Sequence, residues 1–421
     1  MNLLEKLKEI PIINDHTHVF GIGEPKFENA AGVGSPFTAE GLMAGVRRGW
    51  NETAVLAAMD DPDRLDRVWQ ELGEGRRTTF WARAMTRFYQ QVFGFEHDEI
   101  TAENAGPLAE RMNAEVPRDT DAFYEYLGRL SNCEVWFSNT GGWNTADPRV
   151  TRGKFRWLPV LRTTAKDLDE AATRYGLERP TSLEGMRAAI VKWVEEAKAS
   201  GAIALKGGAF AYAVHRPFAP DIRSLKEAPA AKARIDAGKG DEKDEWIVQD
   251  AGTILGAEVG GEFGLPVQIH VAPLWTARGP TRLCEIMDLT PLFYACPNTT
   301  FIVLHGAYPR TEDLADVTAT MSNVRAELNW VAFLAGLDYP NLLGKWIDGM
   351  PNDRILYGTD GGGLYCALHD MLTREALAEA LELRIRKGFL SERIALEIAA
   401  KILRNNAIDT YRMDLPKFSF S

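Results

Sequence analysis

Two histidines one residue apart, in Asp15-His16-Thr17-His18, close an apolar run near the amino terminus. If that run is a strand, its side chains alternate between faces, and His16 and His18 point the same way. Two imidazoles on one side can grip one metal ion; they suit Zn2+, Fe2+, Mn2+ or Ni2+, and spacing alone does not choose among these, with Zn2+ the first expectation. Three further residues occupy matching positions. His270 ends PVQIHVA, His305 ends TFIVLHG, and Asp360 ends ILYGTD just before three glycines. A carboxylate behind a buried strand needs a cation or a proton. Glycines after it let the backbone approach a ligand or turn sharply. A single histidine at a strand end is ordinarily a hydrogen-bonded core residue. Four of the chain's seven histidines plus an aspartate in such places read instead as one metal site.

The elements that would carry these residues follow from hydrophobic pattern. Eight short runs rich in β-branched residues, PIINDHTHV, CEVWFSN, FRWLPVL, AIALKGG, PVQIHVA, TFIVLHG, VRAELNW and RILYGTD, alternate with longer segments of helical period. That alternation predicts a parallel sheet covered by helices, and eight strands close a (β/α)8 barrel of the TIM type. SLEGMRAAIVKWVEEAKASG predicts a helix with Ser182 as N-cap and Gly201 as its stop. REALAEALELRIRKGF and SERIALEIAAKILRNNAIDTY predict two more near the carboxyl end. Barrel active sites form at the carboxyl ends of the strands, where all five candidate ligands fall.

Two segments depart from the repeat within what reads as one barrel domain over 1–421. Residues 37–130, between strands one and two, read as helices such as DPDRLDRVWQELGEG and TFWARAMTRFYQQVFG. A βα connection this long is expected to cap the barrel mouth. Residues 217–243, charged, alanine-rich and punctuated by glycine, are expected to form a flexible surface excursion.

Composition bounds the partners. With 45% hydrophobic and 25% charged residues, the 421-residue chain can bury a large core. A net charge of -11 without a basic run excludes nucleic acid, leaving a small-molecule substrate. No stretch of eighteen apolar residues suggests a membrane span. Four scattered cysteines and a charged amino terminus suggest the reducing cytoplasm. Barrels of this kind commonly pair, so a homo-oligomer is expected.

The order HxH, Lys, His, His, Asp on successive strands resembles the amidohydrolase superfamily. Through PIINDHTH, IALKGGAFAY, LHGAYP, ELNW and YGTD the chain looks like its amidohydrolase 2 branch, in particular the amidohydrolase-like domain fused to some glutamine synthetases. The resemblance implies that His16, His18, His270 and Asp360 bind metal. It implies that Asp360 is also the general base, and that His305 polarises the substrate or binds a second ion. In binuclear relatives a lysine at the place of Lys206 is carboxylated and bridges two metals. An unmodified Lys206 that binds a substrate carboxylate, with a single ion, is the expectation here.

The chemistry is coherent on its own terms. A divalent cation lowers the pKa of a water toward neutrality, and a neighbouring carboxylate takes the proton. Hydrolysis of an amide or other C–N or C–O bond is therefore the first expectation. A decarboxylase or a uronate-isomerase-like enzyme is the alternative, and a non-catalytic metal scaffold is disfavoured because Asp360 and His305 would be surplus to it. Arg162, Tyr212, His215 and Arg216 are expected to contact a carboxylate-bearing substrate. Asn329 and Trp330 are expected to line the pocket. His97 and His369 read as surface or local residues.

Overall fold

The structure is a computed structural model that describes residues 2–18, 78–101, 103–139, 153–207, 219–271 and 285–420. Within them the eight apolar runs form nine strand segments: β1 (Ile12–Thr17), β2 (Cys133–Asn139), β3 (Phe155–Leu158), β4 (Val160–Leu161), β5 (Leu205–Gly207), β6 (Val267–His270), β7 (Phe301–Leu304), β8 (Val324–Glu327) and β9 (Ile355–Leu356). All pair in parallel, in the order β1-β2-β3 and β4-β5-β6-β7-β8-β9. β6 and β7 are buried at every residue, as parallel strands covered on both faces must be.

Two seams join these pieces into a ring. β3 and β4 are one run interrupted at Pro159, which has no N–H to offer a neighbour. The run still feeds β5 from both sides of the break, since Trp157 O accepts from Ile203 N at 3.1 Å and Pro159 O from Lys206 N at 2.8 Å. At the other seam Tyr357 O accepts from Asp15 N at 3.1 Å. His16 O there accepts from Asp360 N at 2.8 Å, and Gly361 O from His18 N at 2.9 Å. The last strand thus lies beside the first, and the eight-stranded barrel closes.

The core divides accordingly. The larger cluster sits between the strands' outer faces and the helices, and it includes Ile12, Trp136, Val267, Phe301 and Val303. A second joins Ile13, Val135, Phe137, Leu158, Ala204, Ile302, Leu304 and Leu356 with Ala407, Ile408 and Tyr411. Side chains from strands all round a ring can meet only inside it, so this second cluster is the barrel interior. The last helix, Asn406–Thr410, and the Tyr411 that follows plug it. That helix continues Glu392–Ala400 through a wider turn at Lys401–Asn405.

The predicted helices form where pattern and caps placed them. In Leu183–Ala199 the Ser182 hydroxyl accepts from Gly185 N, and Gly201 takes the left-handed backbone (φ 93) beyond its end. The described part of the 37–130 segment is helical, at Phe80–Phe93, Ala105–Glu115 and Thr120–Ser131. DPDRLDRVWQELGEG lies outside the described residues. Trp81, at the start of this part, sets its ring 4.2 Å from Phe333 and 5.7 Å from Tyr365, which follow β8 and β9.

The 217–243 stretch differs from expectation. From Ser224 to Asp236 it is a helix that packs along Glu242–Glu262. Its small Ala228 and Ala231 allow close contact, and the fully buried Lys232 bridges Asp236 and Asp169 at 2.6 and 2.8 Å. Charge and alanine here build a packed helix with an internal ion-pair network instead of a loose excursion. Among the described residues no helix is long and apolar enough to cross a membrane.

Candidate metal centre

β1 delivers His16 and His18 to one carboxylate. Each Nε2 stands 2.9 Å from Asp360 Oδ1, and His16 and Asp360 are almost fully buried. Among the described residues these three form the group whose ligand atoms, within 4.8 Å of one another, could hold a metal ion. The geometry thus brings the two HxH histidines together at one carboxylate. His305 lies alongside, with Nε2 3.6 Å from Asp360 Oδ2. His270 stands one step further back, its Nδ1 2.8 Å from His305 Nε2 and the two rings 4.1 Å apart.

Whether a cation fits can be judged from the donors. His16 Nδ1 faces Gln268 Oε1 at 2.5 Å, while its buried Nε2 faces Asp360 Oδ1 at 2.9 Å. Burial pushes the His16 imidazole toward its neutral form, against the pull of Asp360. A neutral imidazole donating through Nδ1 turns the Nε2 lone pair toward a carboxylate oxygen. Two acceptors at that distance repel unless a cation sits with them, and the donor set is one that Zn2+ and its neighbours favour. Burial alone would raise the Asp360 carboxyl. Where a proton on His16 takes the place of that cation, its charge and hydrogen bond, then the hydrogen bond of His18 and the charge of His305, hold the Asp360 carboxyl well below the usual range.

The backbone around the cup is turned in an uncommon way. His305, Trp330 and Asp360 all have left-handed φ, at 60°, 59° and 51°. Such a turn costs a non-glycine residue about 1–2 kcal/mol, so neighbours must hold it. Asn329 Oδ1 accepts from His305 N at 2.7 Å, Glu327 Oε1 accepts from Asn329 N at 2.9 Å, and Trp330 Nε1 donates to Asp360 O at 3.0 Å. Asn329 and Trp330, expected to line a pocket, are buried, and these bonds tie them to the backbone of the cup. The Trp330 ring also packs 4.7 Å from that of His305.

Below the cup lie two further buried carboxyls. A Cβ at Gly358 would fall 2.7 Å from Asp15 Oδ1 and 2.8 Å from Glu327 Oε1, so only glycine fits between them. Burial and their mutual repulsion raise Glu327 well above its ordinary range. Burial also raises Asp15, eased by a hydrogen bond from Tyr411. Lys206, on β5, is buried too; burial pushes its ammonium down to about 8, while Asp360 and Glu327 pull it up.

Other expected residues scatter. Arg162 follows β4 at the carboxyl end and is exposed. Tyr212, His215 and Arg216 lie outside the described residues. His97 is exposed, whereas His369 is fully buried, its Nδ1 3.0 Å from Tyr357 Oη, and burial pushes it down to about 3. The long helix Leu364–Arg386 turns His369 inward, which a scan for surface polarity misses. The sequence reading also passed over Gln268, Glu327, Asp15 and Tyr411. For Gln268 a signal existed, because it lies two residues before His270 on a strand and shares its face.

The amidohydrolase family model matches residues 182–413, more than half of the chain. Protein fluG of Emericella nidulans is 23% identical over 199 residues, 46% of this chain and 22% of that protein. The chain thus spans about a fifth of the length of that relative. Uronate isomerase from Thermotoga maritima superposes with a TM-score of 0.71 at 15% identity, over 97% of this chain and 96% of that one. Glucuronate isomerase from Caulobacter crescentus also gives 0.71, at 18% identity, over 100% of this chain and 95% of that one. At such identities the likeness is one of fold. Family, barrel and donor set together mean that the chain belongs to the amidohydrolase family, whose members work with a divalent metal ion.

Proposed function

We propose that the chain is a metal-dependent hydrolase of a small, carboxylate-bearing molecule, cleaving an amide or another C–N or C–O bond. The observation that carries this reading is the meeting of His16 Nε2, His18 Nε2 and Asp360 Oδ1 beside His305 and His270. His16, His18 and Asp360 would hold one ion, Zn2+ by preference, with His270 completing the set. When bound, that ion would supply Lewis acidity toward a carbonyl and toward water.

The chain's own groups would do the rest. Asp360, ionised at neutral pH, would accept a proton through Oδ2 and later pass it to the leaving group. His305 would hold the scissile carbonyl. Lys206, unmodified, would meet the substrate carboxylate as a cation, assisted by Arg162 and by Tyr212, His215 and Arg216. Trp81, resting on Phe333, supports the reading that the 37–130 segment covers the mouth. The buried thiols of Cys133, Cys296 and Cys366 accord with a reducing cytoplasm.

The test begins with elemental analysis of protein never exposed to chelator, where about one transition metal per chain is expected. Turnover should then be followed on a panel of γ-glutamyl and other carboxylated amides, before and after metal removal and Zn2+ return. Well under one metal per chain would overturn the reading. Loaded protein that leaves amides intact but interconverts uronates would replace hydrolysis with isomerisation.

A further inference from the structure

A directed chain of buried hydrogen bonds runs from the cup to the far end of the polypeptide. Gln268 lies on β6, and its Nε2 is 2.8 Å from Asp15 O and 2.8 Å from Tyr411 Oη. A backbone carbonyl can only accept, so the amide nitrogen must be the atom facing Asp15 O. The orientation of the amide follows: Oε1 is the atom 2.5 Å from His16 Nδ1. An amide oxygen can only accept, so His16 Nδ1 carries the proton. Tyr411 Oη in turn donates to Asp15 Oδ2 at 2.8 Å. His16, Gln268 and Asp15 are wholly buried and Tyr411 nearly so, leaving no water to substitute for a lost partner.

We infer that Gln268 and Tyr411 are positioning residues that lock His16 in the Nδ1–H tautomer, so that its Nε2 lone pair is presented to the cup. The last turn of the chain thereby sets a ligand near the first. Tyr411 is rigid in this role, since its ring packs 4.6 Å from Phe137 within the barrel interior. Turning the Gln268 amide over would bring its oxygen against Asp15 O, so the tautomer is fixed by a backbone atom and not by the metal. This inference rests on the proposed metal site only for the statement that the lone pair meets an ion.

The experiment has two arms. Nitrogen-15 NMR of histidine-labelled, metal-free protein, with the His16 signal assigned by its loss in His16→Asn, should show a proton on Nδ1, alone or with a second proton on the Nε2 that faces Asp360. Titration with Zn2+ against a competing chelator should show Gln268→Leu binding about 10–100-fold more weakly, the usual cost of losing a ligand's hydrogen-bond partner. Tyr411→Phe keeps Asp15 O as a partner for the amide, so it should retain the tautomer and lose less affinity. An Nε2–H tautomer in the unaltered protein overturns the inference, even where Gln268→Leu fails to fold. A folded Gln268→Leu that binds Zn2+ as tightly as the unaltered protein overturns it as well. Unaltered protein that binds no Zn2+ refutes the metal site, while the tautomer still decides the positioning.

Discussion

The two ends of the barrel interior are built by the same strands and held by different forces. Toward the plug, Ile13, Phe137, Ile302 and Leu356 fill space with apolar volume. A few residues further along the same strands stand His16, His305 and Asp360, held by hydrogen bonds and by left-handed backbone. On β7 the change takes one residue, from Leu304 in the floor to His305 in the cup. The floor tolerates no polar group without a partner, and the cup depends on polar groups whose partners are specified. Stability should therefore be lost from one end and chemistry from the other.

Asp360→Asn gives the sharpest test of that division. Asparagine is nearly isosteric and can face His16 and His18, but it cannot accept the proton. Turnover should fall by about 10²–10⁴, the usual worth of a positioned base, while thermal unfolding stays near that of the unaltered protein. Near-normal turnover with full metal would remove Asp360 as the base. Ile302→Ala should do the reverse. It opens a cavity in the floor and should cost about 2–5 kcal/mol in denaturant unfolding, with metal per folded chain unchanged.

Gly358→Ala should break the comparison, because it lies where the two ends meet. The added methyl would press on Asp15, on Glu327 and on the His16 backbone nitrogen, 2.9 Å away. About 1–3 kcal/mol of overpacking is expected, together with loss of metal, read by unfolding and elemental analysis on the same sample. Stability lost with metal retained would show the two layers to be more independent than the shared glycine implies.

The smallest effect concerns a carboxyl outside both layers. Burial pushes Asp370 up to about 6 from an ordinary 3.8, even though it accepts a hydrogen bond from Tyr357. A folded-state pKa above the unfolded one makes the folded protein bind the proton more tightly. The stabilisation is complete below about 3.8 and is lost as pH rises through about 6. Compared with Asp370→Asn, the unaltered protein should gain stability between pH 7 and pH 5; parallel curves for the two would refute the assignment.

Much of the cup could be read from spacing. An HxH on a strand, two histidines and an aspartate after apolar runs leave few arrangements, and the family model supports the barrel they imply. Legibility failed where a residue's work depends on distant chain. Nothing near Asn329 foretells that its oxygen holds the His305 backbone, and nothing in the last helix marks Tyr411 as part of a ligand's surroundings. Charge misled at 217–243, because buried Lys232 is satisfied by Asp169 from another helix, a pairing invisible to local pattern. Gln268 was within reach, as a polar residue on the inward face of a buried strand.

The bond between Tyr411 and Asp15 joins residues 396 positions apart. Ribosomes add roughly 5–20 residues per second, so Asp15 waits on the order of 20–80 s after its own synthesis for this partner. During that interval the barrel lacks its plug, and His16 lacks the support that reaches it through Gln268. Metal capture should therefore wait until Tyr411 has emerged instead of beginning when His16 does. A ribosome stalled short of codon 411 would hold a nascent chain that already contains every proposed ligand and still binds Zn2+ poorly.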